Sequence, residues 1–258
     1  MTPSTFLTLI EKAREYLTKN PERLNEKEKK EFMSHLLANL KGDAKFYYDD
    51  VFDFLLKYGF ISGISRHESF AKYITQRFKP TNYTKVLDVG AGRLCHLSQI
   101  LSNHGFNMFA MDPNIRLLQH EAKSMNIHIL KNLFICDDFK KGKSPTDITS
   151  FDLIVGREPC LATEHIIRQS LKYDKPFEVV LCYEAHDALN GKHFRTVDEW
   201  FEHLLKISRE IEIIKYNGDF IARRIDTKKN LELTTSMENK IYKAPPTYLS
   251  NNQEELEI

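Results

Sequence analysis

The chain lacks several features that would narrow its function at once. Its four cysteines, Cys95, Cys136, Cys160 and Cys182, lie far apart in 258 residues and form no Cys-x-x-Cys pair. That argues against a zinc site and a disulfide framework, and suggests that each is a small buried hydrophobe, Cys160 included, at a helix start. Net charge is nearly absent, with 37 basic against 36 acidic residues. No global electrostatic case for nucleic acid or a membrane follows, although a local basic patch would not register in such an average. No stretch approaches the roughly 18 consecutive apolar residues of a membrane span. The opening MTPSTFLTLIEKAREYLTKN has no basic region followed by an unbroken apolar run. A cytoplasmic protein without membrane contact is the expectation. Internal repeats are also missing.

What is present divides at about residue 80. Before it, FLTLIEKAREYL, EKEKKEFMSHLLANL and DVFDFLLKYGF carry apolar residues at helical spacing. A last helix is expected to begin at Ser65, where Ser65 and Glu68 have the spacing of a capping box, and to end near Lys79-Pro80. After residue 80, short apolar runs alternate with helical stretches. Strands are expected at 85–89, 107–111, 133–136, 151–155 and 177–183, and helices at 94–103, 114–125 and 161–172. Such alternation predicts a parallel sheet covered on both faces. Thr196-Val197-Asp198-Glu199 is a second capping box, and IEIIKY, the turn Asn217-Gly218-Asp219 and FIARRI read as a β-hairpin. The expected organisation is a helical extension over 1–64, serving as a lid or substrate platform, an α/β domain over 65–228 and a polar tail over 229–258.

The most informative stretch is KVLDVGAGRLCHLS at 85–98, an apolar run entering Gly90-Ala91-Gly92 and then a helix. Glycines there let the backbone turn sharply and approach a ligand closely. A dinucleotide fingerprint would need a third glycine where Cys95 stands. Gly90 and Gly92 would admit the ligand, with unpaired N–H groups at the start of the following helix. Asp112, 20 residues beyond Gly92, has the position of an acid that takes both ribose hydroxyls, which suits a dinucleotide equally well.

With MDPN at 111–114, CDDF at 136–139, FDLIVGREPC at 151–160 and the terminal hairpin, DVGAG at 88–92 resembles the class I S-adenosylmethionine-dependent methyltransferases over about residues 65–225. The resemblance implies a Rossmann-like, doubly wound, mostly parallel seven-stranded sheet ending in an antiparallel hairpin, with S-adenosyl-L-methionine as cofactor. One departure is Leu94, where the family often has a third glycine. Carried over by motif, the cofactor residues are Asp88, Gly90, Ala91, Gly92, Asp112, Pro113, Asp137, Asp138, Phe139 and Gly156. Asp88 would anchor the turn or accept from the ligand's ammonium group. Asp137 or Asp138 would accept from the adenine amino group, with Phe139 against the ring.

The acceptor belongs above the carboxyl ends of the fourth and fifth strands. Those ends read Gly156-Arg157-Glu158-Pro159-Cys160 and Cys182-Tyr183-Glu184-Ala185-His186-Asp187. Glu158 is the first expectation for substrate binding or general base, and His186 the second, since an imidazole titrates near neutrality. The competing reading has Glu158 paired with Arg157 or Arg168 and His186 as a plain loop residue. Pro159-Cys160 resembles the nucleophilic pair of cytosine C5 methyltransferases, but no Gln follows Cys160 and no Glu-Asn-Val triplet occurs on the fifth strand. The Asn/Asp-Pro-Pro-aromatic motif of amine methylation on bases is missing too. Phe46, Tyr47, Tyr48, Phe52, Phe54, Tyr58 and Phe60 fit helical core packing better than an acceptor pocket, and Arg66 and His67 could reach the cleft. A small-molecule or protein acceptor therefore leads. A nucleic-acid acceptor would need cations such as Arg157, Arg168 and Lys172 gathered at the cleft mouth, and a noncatalytic cofactor-binding module stands third. Oligomeric state is open.

Overall fold

The computed structural model describes Lys27, Glu31 and residues 64–139, 142–182, 186–187 and 189–225. The helices expected before residue 64, their aromatic group and the tail from 229 lie outside the described residues, apart from Lys27 and Glu31. The chain forms two compact units, residues 1–69 and 70–258. In the first, the capping box at Ser65 forms: the Glu68 N–H donates to Ser65 Oγ at 2.9 Å, and the Ser65 N–H donates to the Glu68 carboxylate at 3.0 Å. It opens helix α1 (Arg66–Arg77).

The second unit contains a seven-stranded sheet of order β3-β2-β1-β4-β5-β9-β8. Strands β1 (Lys85–Val89), β2 (Asn107–Met111), β3 (Ile127–Leu130), β4 (Leu153–Arg157) and β5 (Phe177–Val180) are mutually parallel. Helices α2 (His96–Asn103), α3 (Gln119–Ser124) and α4 (Thr163–Lys172) fall between them. After β5 comes a two-stranded ribbon of β6 (His186–Asp187) and β7 (Lys192–His193), then α5 (Val197–Ile207) and the antiparallel hairpin β8 (Ile211–Tyr216) and β9 (Asp219–Arg224). The architecture is Rossmann-like, mostly parallel and closed by a hairpin. Two apolar clusters cover the sheet, one containing Phe70, Ile74, Leu97 and Phe106, the other Trp200, Phe201, Ile166 and Phe177.

Strands β1 and β2 and the hairpin match the sequence pattern. Asn217 and Gly218 are both left-handed, at φ 46° and 91°, so the two-residue turn twists with its strands. The Thr196 cap also forms, though Glu199 reaches back to the Arg195 N–H rather than to that of Thr196. The third strand is different. It runs over Ile127–Leu130, whereas the apolar run 133–136 is a loop, exposed at Leu133 and buried over 134–136. Side chains take the N–H groups that a neighbouring strand would otherwise satisfy: Ile135 donates to Thr146 Oγ1 at 2.9 Å and Cys136 to His165 Nδ1 at 3.2 Å. β4 starts two residues later than expected, beyond Asp152, whose carboxylate accepts from the Lys85 N–H at 2.9 Å. β5 ends at Val180 rather than at residue 183. α3 is shorter than 114–125 because the N–H groups of Arg116 and Leu117 both donate to the Arg93 carbonyl, holding 114–118 as loop.

Near the amino end of β5, Glu178 is fully buried and ties α1 to the sheet. It accepts from Tyr73 Oη at 2.8 Å and Arg77 Nε at 3.0 Å. Arg223 on β9 donates to Tyr73 Oη at 2.9 Å and to Glu212 on β8 at 2.7 Å. Burial pushes the Glu178 carboxyl above the usual carboxylate range, against the opposing pull of Arg77 and Arg223. Its native form therefore holds a proton that the unfolded chain has already released, so this group's contribution to stability falls as pH rises through that interval. Arg77→Met should cost roughly 3–5 kcal/mol in urea unfolding at a pH where Glu178 is ionised, by removing the cation bonded to that buried carboxylate, and adding Glu178→Gln should restore much of the loss and flatten the pH slope. Equal midpoints for the single and double variants would refute the coupling.

Candidate functional site

Every loop that leaves the carboxyl end of a parallel strand emerges on the same edge of the sheet. Asp88, at the end of β1, is 1% exposed and accepts from Ser98 Oγ at 2.7 Å. Of its two expected roles, this hydrogen bond supports the anchor: Asp88 fastens the first turn of α2 to the strand.

The two glycines that follow serve different ends, although both sit at φ 70°. A Cβ on Gly90 would lie 2.8 Å from Pro159 Cα, in the loop after β4. One on Gly92 would meet nothing within 4 Å. Gly90 is demanded by packing, and Gly92 marks the open approach. Gly156 resembles Gly90, since its Cβ would strike the Val89 carbonyl at 2.9 Å and crowd Pro159 Cγ at 3.2 Å. Beyond Gly92, Cys95 caps α2 in a left-handed conformation (φ 54°), and no side chain caps the helix there. Such a helix start favours a carboxylate or other anion.

Asp112 faces the same opening. Its Oδ2 accepts from the Gly92 N–H at 3.3 Å and its Oδ1 from the Asn114 N–H at 2.7 Å, so it ties the loop containing Pro113 to the glycine turn. The N–H groups of Gly90 and Ala91 both donate to the Met111 carbonyl. Half-buried, the Asp112 carboxylate keeps acceptor capacity for a pair of hydroxyls.

The structure separates Asp137 from Asp138. Asp137 is gripped by α4: its carboxylate pairs with Lys172, accepts from Tyr173 Oη at 3.3 Å and lies 3.5 Å from Gln169 Nε2, while its N–H donates to Gln169 Oε1 at 3.0 Å. The hydrogen bond from Lys172 leads in holding its carboxyl below the usual range. Asp138, whose side chain is 61% exposed, has a longer contact to Arg168 at 3.8 Å. Phe139 meets the His165 ring edge-on with centroids 5.0 Å apart. Burial pushes the His165 pKa down, consistent with a neutral ring whose Nδ1 accepts from Cys136. His165, Arg168, Gln169 and Lys172 form one stripe of α4, and all four touch the 136–139 loop. Sequence reasoning missed this stripe; the signal was a polar 3-1-3 spacing on a helix flanked by apolar residues.

At the end of β4, Glu158 and Cys160 are both left-handed, at φ 51° and 47°, on either side of Pro159. Such strain in non-glycine residues is typical of functional loops. Glu158 lies 3.7 Å from the buried Arg157 guanidinium. The expected Arg157 contact is thus present, while Arg168 turns to Glu164 and Asp138. Cys160 is exposed rather than buried, because it lies in the 3₁₀ turn Cys160–Ala162 ahead of α4. His186 is on β6, opposite His193, and β6 lies against this same 3₁₀ turn. The structure thus brings together the elements bearing Glu158 and His186.

No family model matches the chain, and no curated protein matches it. Solved structures do. It is similar to a TehB-like SAM-dependent methyltransferase from Corynebacterium glutamicum, at 18% identity over 65% of this chain and 90% of that one, TM-score 0.39. It is also similar to the Pyrococcus abyssi tRNA (uracil-54, C5)-methyltransferase, at 13% identity over 62% of this chain and 38% of that one, TM-score 0.41. A third is the Haemonchus contortus phosphoethanolamine N-methyltransferase 2, at 18% identity over 67% and 44% respectively, TM-score 0.40. The last two structures contain S-adenosylhomocysteine. These two enzymes are named for different acceptors, a tRNA uracil and a phosphoethanolamine.

The contrast between the glycines is measurable. Gly90→Ala should cost roughly 3 kcal/mol, since a methyl group would collide with Pro159 backbone in a left-handed residue. Gly92→Ala should cost about 1 kcal/mol of backbone strain alone. Chemical unfolding of the two variants tests this, and equal destabilisation would refute the assignment of Gly90 to packing.

Proposed function

We propose that the chain is an S-adenosylmethionine-dependent methyltransferase acting on a small molecule or a protein. The observation that carries this reading is the open turn at Gly92, with the start of α2, which no side chain caps, on one side and the Asp112 carboxylate on the other. The residues present fit the cofactor. The Gly92 turn and the start of α2 would hold the methionine end, Asp112 the ribose hydroxyls, and Asp138 the adenine amino group with Phe139 beside the ring.

When bound, the cofactor supplies a methyl group already activated by its sulfonium. The protein's work is then to position the acceptor, exclude water and remove a proton. Glu158 sits on the strained turn between the cofactor loop and the β6 ribbon, where a carboxylate can accept the acceptor's proton. The Arg157 guanidinium lies beside it at 3.7 Å.

The cations named for a nucleic-acid acceptor are otherwise engaged. Arg157 is buried beside Glu158, Arg168 pairs with Glu164 and Asp138, and Lys172 pairs with Asp137. That supports the small-molecule or protein reading over RNA or DNA.

Calorimetry with S-adenosylhomocysteine should show binding to the full chain that weakens about tenfold or more in Asp112→Ala, as two hydroxyl contacts to a charged acceptor are lost. Absence of heat alongside clear NAD binding would overturn the reading. Glu158→Gln should lower methyl transfer by about a hundredfold while leaving S-adenosylhomocysteine affinity unchanged. Incubation with methyl-labelled cofactor and fractionated extract supplies the acceptor. Label confined to nucleic acid would reject the acceptor class, and no label at all would favour a noncatalytic binder.

A further inference from the structure

Glu164, in the first turn of α4, is a fully buried carboxylate outside the groups assigned above. Burying such a charge is expensive, and exchange for an apolar residue often stabilises a protein, so a retained pair invites a reason other than stability. Glu164 is held by Arg168 and flanked by His203. Its Oε1 accepts from both Nε and Nη2 of Arg168 at 2.8 Å, and its Oε2 lies 3.2 Å from His203 Nε2 on α5. The His203 ring is itself stacked on the buried Trp200, centroids 5.8 Å apart.

With Nε and Nη2 committed to Glu164, the planar guanidinium of Arg168 has a fixed direction. The nitrogen that remains, Nη1, faces the Asp138 carboxylate at 3.8 Å. Asp137 next door is already locked by Lys172, Gln169 and Tyr173, so Asp138 is the acid of the pair with capacity for a ligand.

We propose that Arg168, braced by Glu164, is a positioning residue that orients the Asp138 carboxylate to read the exocyclic amino group of the cofactor's adenine, setting selectivity for adenosyl over 6-oxopurine ligands. This rests on the proposed cofactor. An amino group donates to a carboxylate held in this way, whereas the carbonyl of a 6-oxopurine places oxygen against oxygen. Without Arg168 the carboxylate turns freely into water and loses this discrimination.

The test is calorimetric titration of the full chain with S-adenosylhomocysteine and with S-inosylhomocysteine, in which a carbonyl replaces the amino group. The wild-type chain should favour the adenosyl ligand by about tenfold or more, the range of a hydrogen bond to a charged group. Arg168→Met and Asp138→Asn should each reduce this preference to about threefold or less, chiefly by weakening the adenosyl ligand. Arg168→Gln, which keeps a donor for Glu164 but loses the cation facing Asp138, should behave alike and decides the matter if Arg168→Met does not fold. Equal weakening of both ligands with the preference intact would reduce Arg168 to a structural residue and overturn the proposal, as would a wild-type chain with no preference. A wild-type chain that binds neither ligand would sink the cofactor reading itself.

Discussion

Pro159 between two glycines is the constraint on which the rest of the site depends. Its ring and backbone fill the space where Gly90 and Gly156 would carry Cβ atoms, within 2.8 to 3.2 Å of both positions. The loop leaving β1 and the loop leaving β4 are thereby fixed against one another by close packing, which resists small displacements far better than a hydrogen bond between mobile side chains. The first loop presents Gly92 and the start of α2, and the second presents Glu158. A ligand seated on one is therefore held in register with a side chain on the other. The left-handed conformations of Glu158 and Cys160 follow from the same wedge, since the chain must leave β4, pass Pro159 and enter α4 within six residues.

A second division runs between the two ends of the sheet. Glu178 lies near the amino end of β5, where its bonds to Tyr73 and Arg77 join α1 to the sheet, and Arg223 carries the network through Tyr73 to the hairpin. At the carboxyl edge the polar groups belong to loops, braced from behind by the stripe of α4. Both ends contain a buried carboxylate with an arginine, but their surroundings differ. Glu178 connects secondary-structure elements on every side, whereas the Glu164–Arg168 pair ends at a loop carboxylate largely open to water. Fixed geometry is useful at such an end only where something is to be recognised.

Much of this architecture was legible in the sequence because it rests on local chemistry. β1 and β2 are short apolar runs ended by a glycine turn and by Asp112, and the Asn217-Gly218 turn can hardly form anything but a hairpin. The third strand was not legible, and the reason is instructive. Phe134-Ile135-Cys136 is as apolar as a buried strand, and burial is all that an apolar run declares. Whether its N–H groups meet a neighbouring strand or the side chains of Thr146 and His165 depends on residues up to 29 positions away. Cys160 failed for a similar reason: small apolar side chains are usually buried, but the 3₁₀ turn forced by Pro159 puts this one outside.

The acids of the site show where sequence stops and structure begins. Asp88, Asp112, Asp137 and Asp138 all follow or end strands, and by position alone each could meet a ligand. In the folded chain Asp88 is sealed against Ser98 and Asp137 is gripped by three side chains of α4 and the residue after it, while the half-buried Asp112 and the exposed Asp138 keep acceptor capacity. Neighbouring acids with the same sequence signal are thus sorted by the cation and donors that a distant helix supplies. Lys172 holds Asp137 low and closed, and Arg168, at 3.8 Å, leaves Asp138 open. Since both cations sit on α4, four residues apart, the spacing of one helix turn decides which of two adjacent aspartates stays open to water and which secures the loop.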